Sequence, residues 1–525
     1  MTARLPAPLH RPRLGLALLG TALLAVGAVP GAQVPIIADD FQALQQTYAV
    51  SGGSLLEAVR FGVDQGRLGG HFNPVGQATG AAYHWSVYAV SARLNSDPQN
   101  VDVLAGFVLL WLALAAAVAV LHSALTRGAG KRTVPGYWSL FAASAAVTAC
   151  TLQIHAPWSN DPVVSYAPAG YGSAALGFGL LALVLRASDP RRGWSWTVAA
   201  TALAITCVWY YEMLVAAIAA SGVVLGLLLL TARGQGARAE RLRCSALLGA
   251  VVVLPAVQFL LSRRLVSEQT AAAAYEGTSV SVGAQALQTW VTGMLGTLPT
   301  AAWPFVLGET GGLHVTGAAI GLAALLFVGT ALLLRLMRHQ ASEGPSTRRP
   351  AVMAVVGLLV FSGLSTATHS VTVKYIAEIR EVGNVYLFYA VGALVTAVLL
   401  GWWLLRATQS RRGRAVLLGL APVFGLLVLG QAAVNLAVAR EVQVESTPWN
   451  GPLAAVSVEP GSDPAVRCDV LAAWRAEPWP GYYLNSVSDS VRANFERSFG
   501  KPFCPPELAA ARGIPPPEST GPDGR

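Results

Sequence analysis

The run LGLALLGTALLAVGAVPG at Leu14–Gly31 decides the fold class, and the motif IIADDF at Ile36–Phe41 follows it almost at once. The run carries no charge, and a helix of about 20 apolar residues crosses the hydrocarbon core of a bilayer. Across the 525 residues, 54% are hydrophobic, 12% are charged and the mean hydropathy is +0.51. Soluble domains hold about 25% charged residues. The sequence therefore predicts an all-α polytopic membrane protein.

Apolar runs of membrane length recur along the whole chain. They predict about eleven transmembrane helices, at Leu14–Gly31, Val101–Leu125, Tyr137–Ala156, Tyr171–Leu185, Trp194–Tyr210, Met213–Thr231, Ser245–Leu261, Val315–Leu334, Ala351–Ala367, Val385–Leu405 and Ala415–Ala437. A further stretch, Thr289–Leu307, is apolar but holds two prolines and many small residues. It is predicted to be re-entrant or interfacial.

Basic clusters between the runs set the orientation. They all fall on one side of the membrane if the N-terminus is cytosolic, as the positive-inside rule requires. The chain is therefore predicted to lie in the cytoplasmic membrane, with its C-terminus outside. This placement accounts for the net charge of +9 without a nucleic-acid partner. The first run also resembles a signal peptide, so cleavage after Ala32 is the alternative to the uncleaved helix that we favour.

The predicted organisation has three parts. Residues 1–437 form the transmembrane region, with long outer loops at 32–100 and 262–314. Residues 438–512 form an extracytoplasmic C-terminal region, in which Cys468 and Cys504 can pair if the compartment is oxidising. The Pro- and Gly-rich residues 513–525 are predicted to be disordered. In the first outer loop, the apolar spacing over Phe41–Val63, broken at Gly52-Gly53, predicts two short amphipathic helices on the membrane surface.

Asp39 and Asp40 are the first candidates for chemistry. Paired carboxylates can deprotonate an acceptor hydroxyl or hold a hard divalent cation such as Mg²⁺ or Mn²⁺. The alternative is a solvated helix start, because Asp is a good N-cap before Phe41.

Further polar residues fall in the predicted outer loops. Asp161 and Glu212 can line the same site, with a turn residue as the alternative for each. His71 is a potential ligand or acceptor contact. Lys374 and Arg380 can clamp a lipid-linked phosphate, unless they only snorkel to the interface or pair with neighbouring glutamates.

This pattern resembles the GT-C glycosyltransferases, which are multi-span enzymes that use polyprenyl-phosphate sugar donors. The residues that carry the resemblance are Asp39-Asp40 in the first outer loop, Asp161 in the next, and Lys374 and Arg380 in a late one. It implies inverting transfer to a glycan, lipid or protein of the cell envelope, with Asp40 the preferred base and Asp39 beside it. The family sometimes uses a divalent cation, which Asp39 and Asp40 would hold. The composition is typical of a high-GC bacterium such as an actinobacterium.

Two other classes of function remain open at this level. A flippase or transporter of lipid-linked glycans predicts polar residues at mid-membrane and an internal repeat. A structural membrane subunit predicts outer carboxylates that do not converge in space.

Overall fold

The computed structural model describes residues 11–34, 36, 38–68, 73–127, 136–154, 167–233, 236–269, 280–301, 303, 315–338, 348–372, 376, 386–446, 451–477 and 481–517. Its helices are α1 Arg11–Ala28, α2 Ala38–Val50, α3 Leu55–Leu68, α4 Pro74–Leu94, α5 Pro98–Thr126, α6 Tyr137–Thr151, α7 Ser173–Ala187, α8 Ser195–Tyr210, α9 Val215–Thr231, α10 Ala237–Leu247, α11 Leu254–Gln269, α12 Ala284–Gly296, α13 Gly317–Arg338, α14 Arg348–Ser370, α15 Tyr386–Gln409, α16 Arg411–Ser446, α17 Gly451–Val456, α18 Pro464–Arg475, α19 Gly481–Phe499 and α20 Pro506–Ala511.

The all-α multi-span class is confirmed. Within the described ranges there is no strand beyond an isolated bridge between Val280 and Thr372. Seven helices in these ranges are long and apolar enough to cross a membrane: Pro98–Thr126, Pro168–Ala187, Ala237–Ser262, Gly317–Arg338, Pro350–Ser370, Ala390–Gln409 and Arg411–Glu441. Three shorter helices, at Leu14–Ala28, Ser195–Tyr210 and Val215–Thr231, are also apolar. The total of eleven spans stays a prediction.

Helix α1 packs directly against α6 through small residues. A Cβ atom at Gly27 would lie 2.5 Å from the Cα and carbonyl oxygen of Ala149, and one at Gly20 would lie 2.9 Å from the Cα of Ala142. Such close approach between backbones is how helices associate within a bilayer, where burial of apolar side chains gives little net drive. The packing is that of a helix integral to the bundle, and retention of the first run stays a prediction.

Replacing Gly27 by valine should therefore destabilise the bundle. The new side chain meets backbone that can move only with its helix, and overpacking of this kind costs about 1–3 kcal/mol. We expect a lower thermal midpoint in detergent, measured by fluorescence-detected size exclusion after heating. Gly15→Val is the matched control, because a Cβ at Gly15 meets nothing within 4 Å. Equal melting of the two variants would contradict this account of the α1–α6 contact.

Helix α12 lies against the membrane-spanning helices α14 and α15. Trp290 donates from Nε1 to the carbonyl of Gly363 at 2.8 Å, and the methyl-bearing side chain of Thr297 fills the space above Gly392. Both glycines lie about 10 Å inside the ends of their helices, by helical rise. The predicted re-entrant segment thus begins as a helix set among the spans, while residues 304–314 lie outside the described ranges.

A buried network of side-chain amides on α16 links the end of α6 to Trp303 of the predicted re-entrant segment. Asn435 of α16 accepts from the backbone N–H of Ile154 at 3.0 Å and donates to the carbonyl of Leu152 at 2.8 Å. Gln431, one turn earlier, donates to Asn435 and accepts from Trp303 Nε1 at 2.9 Å. These side chains satisfy backbone groups freed where α6 ends, which a bilayer interior would otherwise leave unpaired.

Helices α17 to α20 pack around an apolar cluster that is distinct from the core of the bundle, and we call them the C-terminal unit. Its centre contains Trp474, Phe495 and the disulfide between Cys468 and Cys504. Helix α16 runs past residue 437 to Ser446, and Ile514 packs into the core of this unit. The division of the chain at residues 437 and 512 stays a prediction.

Candidate functional site

Helix α2 begins at the acidic pair. Asp40 lies in its first turn, and the Asp40 side chain is only 7% exposed. The adjacent Phe41 is fully buried in the core of the α17–α20 unit. Burial of Phe41 on one side of the helix start therefore turns the neighbouring carboxylate inward, towards α4. The two predicted helices and the break at Gly52-Gly53 are confirmed, with φ of 62° and 79° at the two glycines.

Helix α4 presents two consecutive polar side chains to two different helices. His84 faces α2, with its Nε2 atom 3.7 Å from Oδ1 of Asp40. This separation is too long for a hydrogen bond but close enough for an electrostatic contact. Tyr83 faces α5 and donates from its hydroxyl to Oδ1 of Asp102 at 2.7 Å. Consecutive helix positions diverge by about 100°, which is why neighbouring residues serve separate partners.

Asp102 is a second buried carboxylate at the same place. It is 6% exposed and lies in the second turn of α5, whose N-terminus is capped by Asp97 accepting from the backbone N–H of Gln99 at 2.9 Å. Burial, the charge of Asp102 with its hydrogen bond, and the charge of Asp40 raise the pKa of Tyr83 well above its usual value. The phenol therefore stays protonated and remains a donor between the two carboxylates. We call Asp40, Tyr83, His84 and Asp102 the carboxylate cluster.

The C-terminal unit holds α2 in place. Asn494 of α19 donates from Nδ2 to both the backbone carbonyl and Oε1 of Gln45, at 2.9 and 2.8 Å. Arg497 donates to the carbonyls of Tyr48 and Ala49, at 3.3 and 3.0 Å, and so satisfies groups at the end of α2. These contacts, rather than lipid headgroups, cover the face of α2 that the sequence placed on the membrane surface.

Replacing Asn494 by alanine should loosen this attachment. The carbonyl and side chain of Gln45 would lose a buried donor, which costs about 1–3 kcal/mol. We expect a lower melting temperature and faster proteolysis within α2, followed by mass spectrometry of the fragments. Glu496→Ala, on the exposed face of the same helix, is the control. If both variants resist protease as the wild type does, the attachment of α2 does not depend on Asn494.

Helix α4 also reaches the turn that contains Glu212. Gly76, near the start of α4, lies so close to the carbonyl oxygen of Tyr210 that no side chain fits between them. From Gly76 to Tyr83 is about 11 Å along the helix. Two residues after Tyr210, the backbone of Glu212 begins the 3-10 turn Glu212–Leu214. Tyr211, between them, contacts His369 of α14, with 3.4 Å between Oη and Nε2. One helix thus connects this turn to the carboxylate cluster.

The structure tests only part of the predicted site. Asp40 is buried in the carboxylate cluster, and the backbones of Asp39 and Glu212 lie in α2 and in the 3-10 turn Glu212–Leu214. The side chains of Asp39 and Glu212 lie outside the described positions. So do His71, Asp161, Lys374 and Arg380 altogether. Asp40 is therefore the one predicted site residue with a described side chain, and convergence of the outer polar residues stays a prediction.

Sequence reasoning missed three members of the cluster. Asp102 carries a readable signal, because it is an ionisable residue at the start of a predicted apolar span, where such groups usually have a purpose. Tyr83 and Tyr88 give no signal of a buried role, because tyrosines beside a predicted span are also typical of the membrane interface. Tyr88 is fully buried against Leu44 and Val458. His84 carries no signal of its own, since a single histidine in a helix has many ordinary uses.

The cluster offers few ligands for a divalent cation by itself. Among the residues with described side chains, no group of three or more His, Cys, Asp and Glu side chains is placed to hold a metal ion. Oδ1 of Asp102 already accepts a hydrogen bond from the Tyr83 hydroxyl, and Asp40 faces His84. A site of the kind implied for Asp39 and Asp40 would need the Asp39 carboxylate and donors from a substrate.

No family model, no curated protein and no solved structure matches this chain.

Proposed function

We propose that this chain is a membrane-embedded, inverting glycosyltransferase of the GT-C type. It would transfer a sugar from a polyprenyl-phosphate donor to an acceptor of the bacterial cell envelope. The observation that carries the proposal is the burial of Asp40 beside His84 and the Tyr83–Asp102 pair, at the membrane end of an outer loop. Asp40 lies inside the first turn of α2, which begins at Ala38, so it is not the residue at the N-cap position.

The orientation proposed for the enzyme has eleven spans, a cytosolic N-terminus and an outer C-terminus in the cytoplasmic membrane. The disulfide in the C-terminal unit supports this sidedness, because disulfides persist in oxidising compartments. Helix α2 packs on the same unit, so the carboxylate cluster shares its side of the membrane. That side is where polyprenyl-linked sugars would meet envelope acceptors.

The reaction would be a single displacement. The acceptor hydroxyl attacks the anomeric carbon, and Asp40 takes the hydroxyl proton as that bond forms. The bond between the anomeric carbon and the phosphate oxygen breaks, and its electron pair leaves with the polyprenyl phosphate. Lys374 and Arg380 are the proposed cations for the departing phosphate, a role for which preorganised positive charge is well suited. The acceptor's proton ends on Asp40 and then passes to water.

The neighbours of Asp40 would act by positioning it. His84 would act on Asp40 electrostatically across 3.7 Å, and Asp102 holds the Tyr83 hydroxyl through the 2.7 Å hydrogen bond. A divalent cation on Asp39 and Asp40, should it bind, would supply positive charge to the phosphate. No step above depends on it.

Replacing Asp40 by asparagine should abolish transfer while preserving the shape of the site. Loss of a positioned general base lowers rates by about 10²- to 10⁴-fold. Membranes that contain the wild type or the Asp40→Asn variant would be supplied with radiolabelled polyprenyl-phosphate hexoses and pentoses. Label would then be measured in the lipid, glycan and protein fractions.

Asp64→Asn is the matched control, because Asp64 is an exposed carboxylate on α3 in the same predicted outer loop. It should transfer at the wild-type rate. Unchanged transfer by the Asp40 variant would remove Asp40 as the base. If the wild type transfers no sugar but moves labelled donor between leaflets, the protein is instead a flippase.

A further inference from the structure

An apolar groove lies between α13, α15 and α16, with a volume of about 540 Å³. This is within the range of about 300–1,000 Å³ that small-molecule sites occupy. Its walls include Phe327, Leu334, Trp403 and Phe424. The lining also holds three arginines, Arg335 and Arg338 in the last turn of α13 and Arg414 in the first turn of α16.

The groove has the depth of one membrane leaflet. Along α13, the distance from Arg338 back to Phe327 is about 16 Å by helical rise. Along α16, Arg414 to Leu427 is about 20 Å. The hydrocarbon core of a bilayer is about 30 Å thick, so half of it is about 15 Å. The arginines therefore lie at headgroup level when the apolar walls lie beside acyl chains.

The arginines lie at the end of the bundle opposite the carboxylate cluster. Helix α16 starts at Arg411 beside the groove and is 36 residues long, or about 54 Å. Its far end leads to the C-terminal unit that holds α2. The distance from Arg414 to Asn435, which binds the end of α6, is about 32 Å and corresponds to one membrane crossing. The groove is therefore separate from the site around Asp40.

The charge of this end is not balanced within the described residues. Arg414 donates only weakly to the carbonyl of Thr408, at 3.4 Å. Arg335 and Arg338 are exposed at the last turn of α13, and neither forms an ion pair with any carboxylate that the structure describes. None of the described residues that line the groove is Asp or Glu. An anion with several acceptor oxygens complements three such guanidinium groups.

We propose that the groove binds an anionic phospholipid of the leaflet on that side, with its phosphate at Arg335, Arg338 and Arg414 and an acyl chain along the apolar walls. Leaflet depth, apolar walls and unbalanced positive charge together require a ligand with one anionic and one long apolar part. Basic pockets between spans on the cytoplasmic side recognise lipid headgroups by the same physics. The lipid would hold α13 against α16 where protein packing leaves a gap. The inference does not depend on the proposed sugar transfer.

Native mass spectrometry of the delipidated full-length protein tests this assignment. Phosphatidylglycerol and phosphatidylcholine with identical chains would be titrated separately. We expect one tightly bound phosphatidylglycerol and much weaker binding of phosphatidylcholine. Removing the three charges in R335Q/R338Q/R414Q should weaken phosphatidylglycerol binding by about a hundredfold, since each basic residue near a headgroup contributes about 1 kcal/mol.

The control is R192Q/R233Q/R238Q, which removes the same charge from exposed arginines that do not line the groove. It should bind phosphatidylglycerol as the wild type does. A second variant, Ala421→Phe, keeps the arginines and fills the groove, and should also weaken binding. Size exclusion of each variant verifies its fold, and phosphatidylglycerol should raise the melting temperature of the wild type and of the control only.

Three results would overturn the assignment. Equal affinity for the two phospholipids would show that the arginines do not select the ligand. Equal loss in both triple variants would show general surface attraction rather than a site. Displacement of phosphatidylglycerol from the wild type by a polyprenyl phosphate at lower concentration would show that the groove takes an isoprenoid.

Discussion

Attachment of α2 to the C-terminal unit is the constraint on which the candidate site depends. α2 is a 13-residue helix joined to α1 by a short segment, and it has no span of its own to fix it. Asn494, Arg497 and the core around Phe41 supply the missing contacts on one side, and α4 supplies them on the other. Without both, Asp40 would sit at the start of a helix free to turn towards water.

Burying Asp40 and Asp102 together has an energetic cost that the surrounding residues offset. A buried carboxylate loses its hydration, and two near one another also repel. The Tyr83 hydroxyl compensates Asp102 directly, and the imidazole of His84 faces Asp40. Proteins tolerate such destabilising groups mainly where function requires them. This balance of cost and compensation distinguishes the cluster from the solvated carboxylates of α3.

The sequence is sufficient to predict where the helices lie along the chain, but it does not predict which helices pack against one another. Apolar run length predicts each span as a helix, and Gly52-Gly53 marks the break between α2 and α3. Periodicity shows only that Phe41 and Leu44 share an apolar face, because lipid and protein are equally good apolar neighbours. That face meets the C-terminal unit, which could not be inferred from local pattern. The pairing of Tyr83 with Asp102 likewise depends on how α4 crosses α5, which is decided by close contacts such as Gly76 against Tyr210.

The distance in sequence between Gln45 and Asn494 also determines when the site can form. Ribosomes add about 5–20 residues per second, so the two partners, 449 positions apart, are synthesised roughly 20 to 90 s apart. During that interval the spans can insert and pack, while α2 lacks the partner that fixes it. A chain that stops before α19 would therefore insert as a helical bundle yet never order Asp40. Synthesis of α19, rather than insertion of the spans, is therefore the step on which the position of Asp40 depends.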